Sequence, residues 1–276
     1  MAARLAGGEW LLRIDDLDTP RNRPGAEEAI QADLTWLGLH WDGPIWRQSS
    51  RRGTYSTVLS ALRRAGWLYP CRCSRRMLAD VSAPHGAAPV YPGHCRHLAL
   101  GWQARQGRLP SWRWRLPAGP ILWQERFGPP GLLDGPSQVG DVVLRRADGF
   151  LAYHLATAVD ELSLGISEVV RGEDLFWATG PQVALMGLLG GEPPGYGHVP
   201  LWRDAQGQRL SKREGAEGLA GMRQRGLDAA AVIGELAASA GLVRAGSRLS
   251  AAELLQELNP GLFAERLRAA AADGQS

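Results

Sequence analysis

The first apolar run of the chain, Trp10-Leu11-Leu12-Arg13-Ile14, is short and closes on Asp15-Asp16-Leu17-Asp18. That is the pattern of a buried strand ending in an acidic loop. Helical spacing follows over 25–37, with Pro24 ahead of it, Glu27 and Glu28 in its first turn and Gly38 at its end. A second helix is predicted over 54–64, stopped by Gly66, and Trp67 to Cys71 reads as another strand. Strand, helix, helix, strand is the order of a parallel α/β sheet.

From Ser74 to Gly140 the pattern changes, with frequent Pro and Gly and no long helix. Ser111–Leu116 and Ile121–Phe127 alternate, and Pro117-Ala118-Gly119-Pro120 between them predicts a hairpin. Trp112 and Trp114 share one face of its first strand, Arg113 and Arg115 the other. The Arg face could meet RNA phosphate, but packing of the Trp face is the simpler reading. The α/β pattern returns with strands over 141–146, 166–170 and 198–202, and helices over 150–162 and 173–189, the second ended by Gly190-Gly191. Two more helices are predicted over 229–242 and 251–258, with Ser250 and Glu253 placed as a capping box for the last.

Composition narrows the class. An apolar fraction of 45% and a charged fraction of 21% in 276 residues suit an ordinary globular protein. No apolar run is long enough to span a bilayer, and Met1 to Glu9 holds no signal-like stretch, so a cytoplasmic protein without a membrane partner is expected. Three cysteines lie between Cys71 and Cys95, an odd number whose clustering points to metal rather than disulfides. On spacing alone the fourth ligand stays open, with His85, His94 and His97 all within reach. The net charge of +3 permits a nucleic-acid partner without requiring one. Lys212 is the only lysine among 31 basic residues. A compact charge on a flexible stem does there what the planar fork of Arg cannot.

Lys212 sits in Gln208-Arg209-Leu210-Ser211-Lys212-Arg213, after a turn at Asp204 to Gly207. A loop of this kind with a mobile Lys suits an ATP triphosphate. It resembles the KMSKS signature of class I aminoacyl-tRNA synthetases in its glutamyl form. Arg13-Ile14-Asp15-Asp16-Leu17-Asp18 resembles the RIED-x-D segment of glutamyl synthetases. Tyr153-His154-Leu155-Ala156, Val159-Asp160-Glu161 and Val169-Val170-Arg171-Gly172-Glu173-Asp174-Leu175 resemble the amino-acid-binding half of that family, and all three blocks stand in family order. The short segment after Lys212 and the Cys71-x-Cys73, Tyr91-x-x-x-Cys95 spacing are similar to its glutamyl-Q branch, which glutamylates the queuosine base in the anticodon of tRNA(Asp).

The resemblance implies a class I Rossmann-like α/β fold. Its first part would span 1–70, a zinc-bearing insertion 71–140, its second half 141–205, and the ATP loop with a helical C-terminal segment 206–276. It implies Tyr153 and Arg171 as glutamate contacts and Asp15 as a contact to the α-ammonium, where the family has Glu, one methylene longer. It further implies Arg209, Leu210, Ser211, Lys212 and Arg213 as the ATP loop, with Lys212 catalytic. A structural Zn²⁺ would be held by Cys71, Cys73, Cys95 and Tyr91. Expected substrates are ATP with Mg²⁺, glutamate and queuosine-containing tRNA(Asp), acting on a monomer. The family opens with a strand and a His-bearing ATP loop ahead of the RIED-like segment. This sequence starts at the tail of the following helix, so a chain lacking that element and impaired in catalysis is expected. The alternatives are a synthetase-like body that binds tRNA or glutamate without chemistry, and a fragment of a glutamyl-tRNA synthetase.

Overall fold

A computed structural model describes residues 1–74, 76–78, 90–201 and 218–273. The chain opens with a short helix, α1 (Ala2–Leu5), followed by β1 (Arg13–Ile14), α2 (Ala26–Trp36), β2 (Trp46–Arg47), α3 (Arg52–Arg64) and β3 (Leu68–Cys71). β1 and β2 pair in parallel, Arg13 opposite Trp46. The apolar run before Arg13 continues this alignment, with Trp46 N–H donating to Leu12 O at 2.9 Å. α3 buries Tyr55, Leu59 and Leu62 along one stripe, the spacing of an amphipathic helix, and leaves Arg63 and Arg64 in its last turn where they offset the dipole.

β3 does not join a parallel sheet. It pairs antiparallel with β4 (Ser111–Trp114), which pairs antiparallel in turn with β7 (Val143–Arg145). Two features account for this. Pro70 has no N–H to donate, which suits an edge strand, and β3 lies at the edge of this three-stranded sheet. Trp114 is fully buried and fills the main core beside Leu68 and Leu144. The expected hairpin of 111–116 with 121–127 is also replaced. β5 (Pro120–Trp123) pairs instead with β6 (Gly131–Asp134), because the alternation of 121–127 finds its register against Gly131. A Cβ at Gly131 would sit 1.8 Å from the Trp123 ring, so only glycine lets the indole cross there.

Next come α4 (Tyr153–Ser163), β8 (Glu168–Gly172), α5 (Phe176–Leu188) and β9 (Gly195–Val199). β8 and β9 are parallel, Arg171 opposite His198. α3, α4 and α5 cover the main core, which holds Tyr55, Leu155, Val183, Leu185 and Tyr196. A second core gathers α6 (Leu219–Gln224), α7 (Ala229–Ser239), α8 (Ala251–Glu257) and α9 (Pro260–Asp273) around Leu37 and Phe127, with Met1, Ala2 and Leu5 packed against it. The Ser250–Glu253 capping box forms. α9 was not anticipated, although Asn259 ahead of Pro260 is a helix-start signal, and its amide oxygen accepts from Leu262 N–H at 2.9 Å.

Candidate active site and metal centre

β8 carries Arg171 near its C-terminal end, the end of parallel strands at which α/β folds bind ligands. Tyr153 stands at the first turn of α4. The structure brings the two together. Arg171 donates to the Tyr153 hydroxyl at 3.5 Å, to Gln182 Oε1 at 2.9 Å and to Thr179 Oγ1 at 2.6 Å. Its Nε–H points to His198 Nε2 at 3.3 Å, and its guanidinium lies 5.0 Å above the Tyr196 ring. None of these partners is a carboxylate. No carboxylate among the described residues lies within ion-pair distance of Arg171, although the buried Glu161 feels its charge.

Behind Arg171 the site is buried and polar. His198 is clamped by Glu125, which accepts its backbone N–H at 2.9 Å and contacts its Nδ1 at 2.7 Å. Burial pushes the Glu125 carboxyl up, but the His198 hydrogen bonds outweigh it and hold Glu125 below its ordinary value. Burial keeps Glu161 above its ordinary value against the opposing pull of the Arg171 charge and of the Tyr196 hydroxyl, which donates to Glu161 at 3.0 Å. Burial, reinforced by the Arg171 charge, lowers His154 to about 4. None of Glu125, Thr179, Gln182 and His198 was singled out from sequence. The available signal was Thr179 and Gln182 standing inside the otherwise apolar helix α5.

Asp15 lies elsewhere in the network. Its carboxylate is gripped by Arg13, at 2.6 and 3.2 Å. Arg13 also lies 3.7 Å from Asp160, which is fully buried and accepts from the Tyr55 hydroxyl at 2.8 Å, Arg51 Nε at 2.8 Å and Gln48 Nε2 at 3.0 Å. α4 therefore ties the RIED-like segment to the Arg171 side of the fold. Arg209, Leu210, Ser211, Lys212 and Arg213 lie outside the described residues.

The cysteines converge. The Sγ atoms of Cys71, Cys73 and Cys95 lie within 4.8 Å of one another, and Cys73 and Cys95 are 3.6 Å apart, too far for a disulfide. The Tyr91 oxygen is 3.4 Å from Cys71 Sγ and 3.5 Å from Cys73 Sγ. A tetrahedral zinc with bonds of ~2.3 Å to sulfur and ~2.0 Å to oxygen spaces its ligands by about 3.8 Å (S to S) and about 3.5 Å (S to O). Soft thiolates at this spacing could bind zinc. Of the candidate histidines, His94 only packs edge-on against the Tyr91 ring, centroids 6.2 Å apart, and His85 lies outside the described residues. Arg113 stacks 3.6 Å over the Tyr91 ring and donates to Cys71 Sγ at 3.3 Å, while Arg115 stacks over Tyr69. The Arg face of β4 is thus occupied within the fold. A cleft of about 460 Å³ runs from Tyr91 and Arg113 to Tyr153 and His154.

A family model described as tRNA synthetases class I (E and Q), catalytic domain, matches residues 1–253. The chain belongs to this family. It is by family a ligase-type enzyme. It is similar to the glutamyl-Q tRNA(Asp) synthetase of Prochlorococcus marinus, 58% identical over 258 residues, covering 94% of this chain and 79% of the relative. The protein of the same name from Nitratidesulfovibrio vulgaris is 43% identical over 257 residues, covering 88% of this chain and 79% of its own. A solved glutamate tRNA ligase from Elizabethkingia meningosepticum, in complex with its amino acid, superposes with a TM-score of 0.75 at 24% identity. The match covers 95% of this chain and 60% of that ligase, and it establishes the class I fold. Among the described residues no helix is long and apolar enough to cross a membrane.

Proposed function

We propose that this chain activates glutamate with ATP, without needing tRNA for that step, and transfers it to the queuosine base in the anticodon of tRNA(Asp). The observation that carries the proposal is Arg171, a cation with no adjacent carboxylate among the described residues, beside Tyr153 at the C-terminal end of β8. A half-buried guanidinium with no adjacent carboxylate is open to an anionic ligand, and a carboxylate matches its fork.

Tyr153 and Arg171 orient the amino acid, and Asp15 would have to leave its pairing with Arg13 to meet the α-ammonium. An oxygen of the α-carboxylate attacks the α-phosphorus of ATP, and the bond to pyrophosphate breaks. A hydroxyl of queuosine then displaces AMP and gives up its proton. No protein nucleophile is needed, so catalysis is positioning and charge stabilisation. Lys212, within the 209–213 loop, serves the triphosphate, and Mg²⁺ bound with ATP supplies further positive charge there. Cys71, Cys73, Cys95 and Tyr91 would hold a structural zinc, four protein ligands leaving no open position for chemistry. Residues 71–140 form the segment that carries this site. The chain works as a cytoplasmic monomer. Glutamate-dependent exchange of pyrophosphate into ATP in the absence of RNA tests the activation step. Exchange that ignores glutamate, or requires tRNA, would overturn it.

A further inference from the structure

We infer that Glu125 and His198 are positioning residues that fix the orientation of Arg171 through one tautomer of the His198 ring. This rests on the reading of Arg171 as the glutamate contact. The segment holding Glu125 is locked beside β9: Tyr196 N–H donates to Gln124 O at 2.9 Å and Arg126 N–H to Tyr196 O at 2.7 Å. Glu125 then grips both the backbone N–H and the ring of His198, with only 6% and 5% of the two side chains exposed. Gly197 allows the approach, since a Cβ there would lie 2.4 Å from the Phe127 ring.

The tautomer follows from the partners. A carboxylate can only accept, so Nδ1 carries the proton toward Glu125. Arg171 can only donate, so Nε2 presents its lone pair to the Arg171 Nε–H. Arg171 has five N–H groups. His198, Gln182, Thr179 and Tyr153 take four, the Tyr153 contact being the longest at 3.5 Å. Among the described residues one N–H is left without a partner and one is loosely held, which leaves two donors for a carboxylate. Nε2 also lies 3.2 Å from Thr179 Oγ1, itself an acceptor for Arg171, so reversing the His198 tautomer would set Nε2–H against the Arg171 Nε–H and disturb both contacts.

Substitutions separate the two contacts. Glu125→Gln offers an amide N–H to Nδ1 and so favours the reversed tautomer. His198→Asn keeps a donor for Glu125 but loses the acceptor for Arg171. His198→Gln places an acceptor oxygen near the Nε2 position. The experiment measures Kd for glutamate and for ATP by titration calorimetry on each variant, with Arg171→Ala alongside. Glu125→Gln and His198→Asn should weaken glutamate ~10-fold or more, the effect of one lost hydrogen bond to a charged group. ATP should stay within about twofold, and His198→Gln within about threefold of the parent for glutamate. Parent-like glutamate binding by Glu125→Gln and His198→Asn, with Arg171→Ala defective, would overturn the inference. So would equal losses for both ligands, or a His198→Gln as weak as His198→Asn. Parent-like binding by Arg171→Ala would instead overturn the reading of the glutamate site itself.

Discussion

Arg171 reaches the Tyr153 hydroxyl at 3.5 Å and has no carboxylate partner among the described residues. The two side chains come from different elements, α4 and β8, and α4 packs on α5, whose Thr179 and Gln182 also hold Arg171. A guanidinium presented this way selects for a planar anion. Arg171→Lys keeps the charge but loses the fork, and should weaken glutamate binding ~10-fold. Arg171→Ala should weaken it ~100-fold, matching a lost charge-assisted pair. A Lys variant binding as tightly as the parent would show that charge alone suffices.

Asp160 is the anchor between the two halves of the site. It is fully buried, with Tyr55, Arg51 and Gln48 all donating to it. Asp160→Ala leaves a buried hydroxyl, a guanidinium and an amide without their acceptor, and should cost about 3–5 kcal/mol of unfolding free energy. Tyr55→Phe removes one donor and should cost about 1–2 kcal/mol. Urea titration of the three proteins checks the order; an Asp160→Ala loss below that of Tyr55→Phe would contradict it.

The cysteine cluster should bind about one zinc per chain. Chelation should lower the melting temperature, because Cys71 belongs to β3 and the cluster packs with Tyr69 beneath that sheet edge. Tyr91→Phe should retain three thiolates and lose zinc at lower chelator concentration than the parent. Elemental analysis finding no zinc in protein purified without chelator would contradict the assignment, and an unchanged Tyr91→Phe would remove Tyr91 from the ligand set.

Stability should fall on mild acidification through His154. Its Nδ1 is buried without a hydrogen-bond partner, and burial with the nearby Arg171 charge lowers its pKa from 6.5 to about 4. The unfolded chain takes up this proton below about 6.5 while the folded chain resists until about 4. The contribution is therefore complete above the unfolded value and lost as pH falls toward the folded one, on the order of 3 kcal/mol in all. Glu161, held above its ordinary value, contributes with the opposite sign, so the comparison that isolates His154 is with His154→Leu. The parent should lose more unfolding free energy than the variant between pH 7 and pH 4.5. Identical slopes would contradict the effect.

The helices were legible in the sequence because their periodicity and terminal residues agree, as for 25–37 against Ala26–Trp36 and for the Ser250–Glu253 cap. Strand partnership was not. A strand's alternation states which face is buried but not which strand lies beside it, and so 111–116 was matched to its sequence neighbour rather than to β3 and β7. The site divides in the same way. Tyr153, Arg171 and the cysteines stand in recognisable motifs. Glu125 and His198, 73 positions apart, carry no local pattern and became visible only through their 2.7 Å contact.

The central claim is the acceptor. Labelled glutamate should become acid-precipitable on tRNA(Asp) that contains queuosine and not on tRNA(Asp) with unmodified guanosine at that position. Labelling should persist on tRNA(Asp) whose 3′-terminal adenosine has been removed before the reaction. Equal labelling of unmodified tRNA(Asp), or labelling abolished by removal of the 3′-terminal adenosine, would contradict the account and place the glutamate on the terminal adenosine instead.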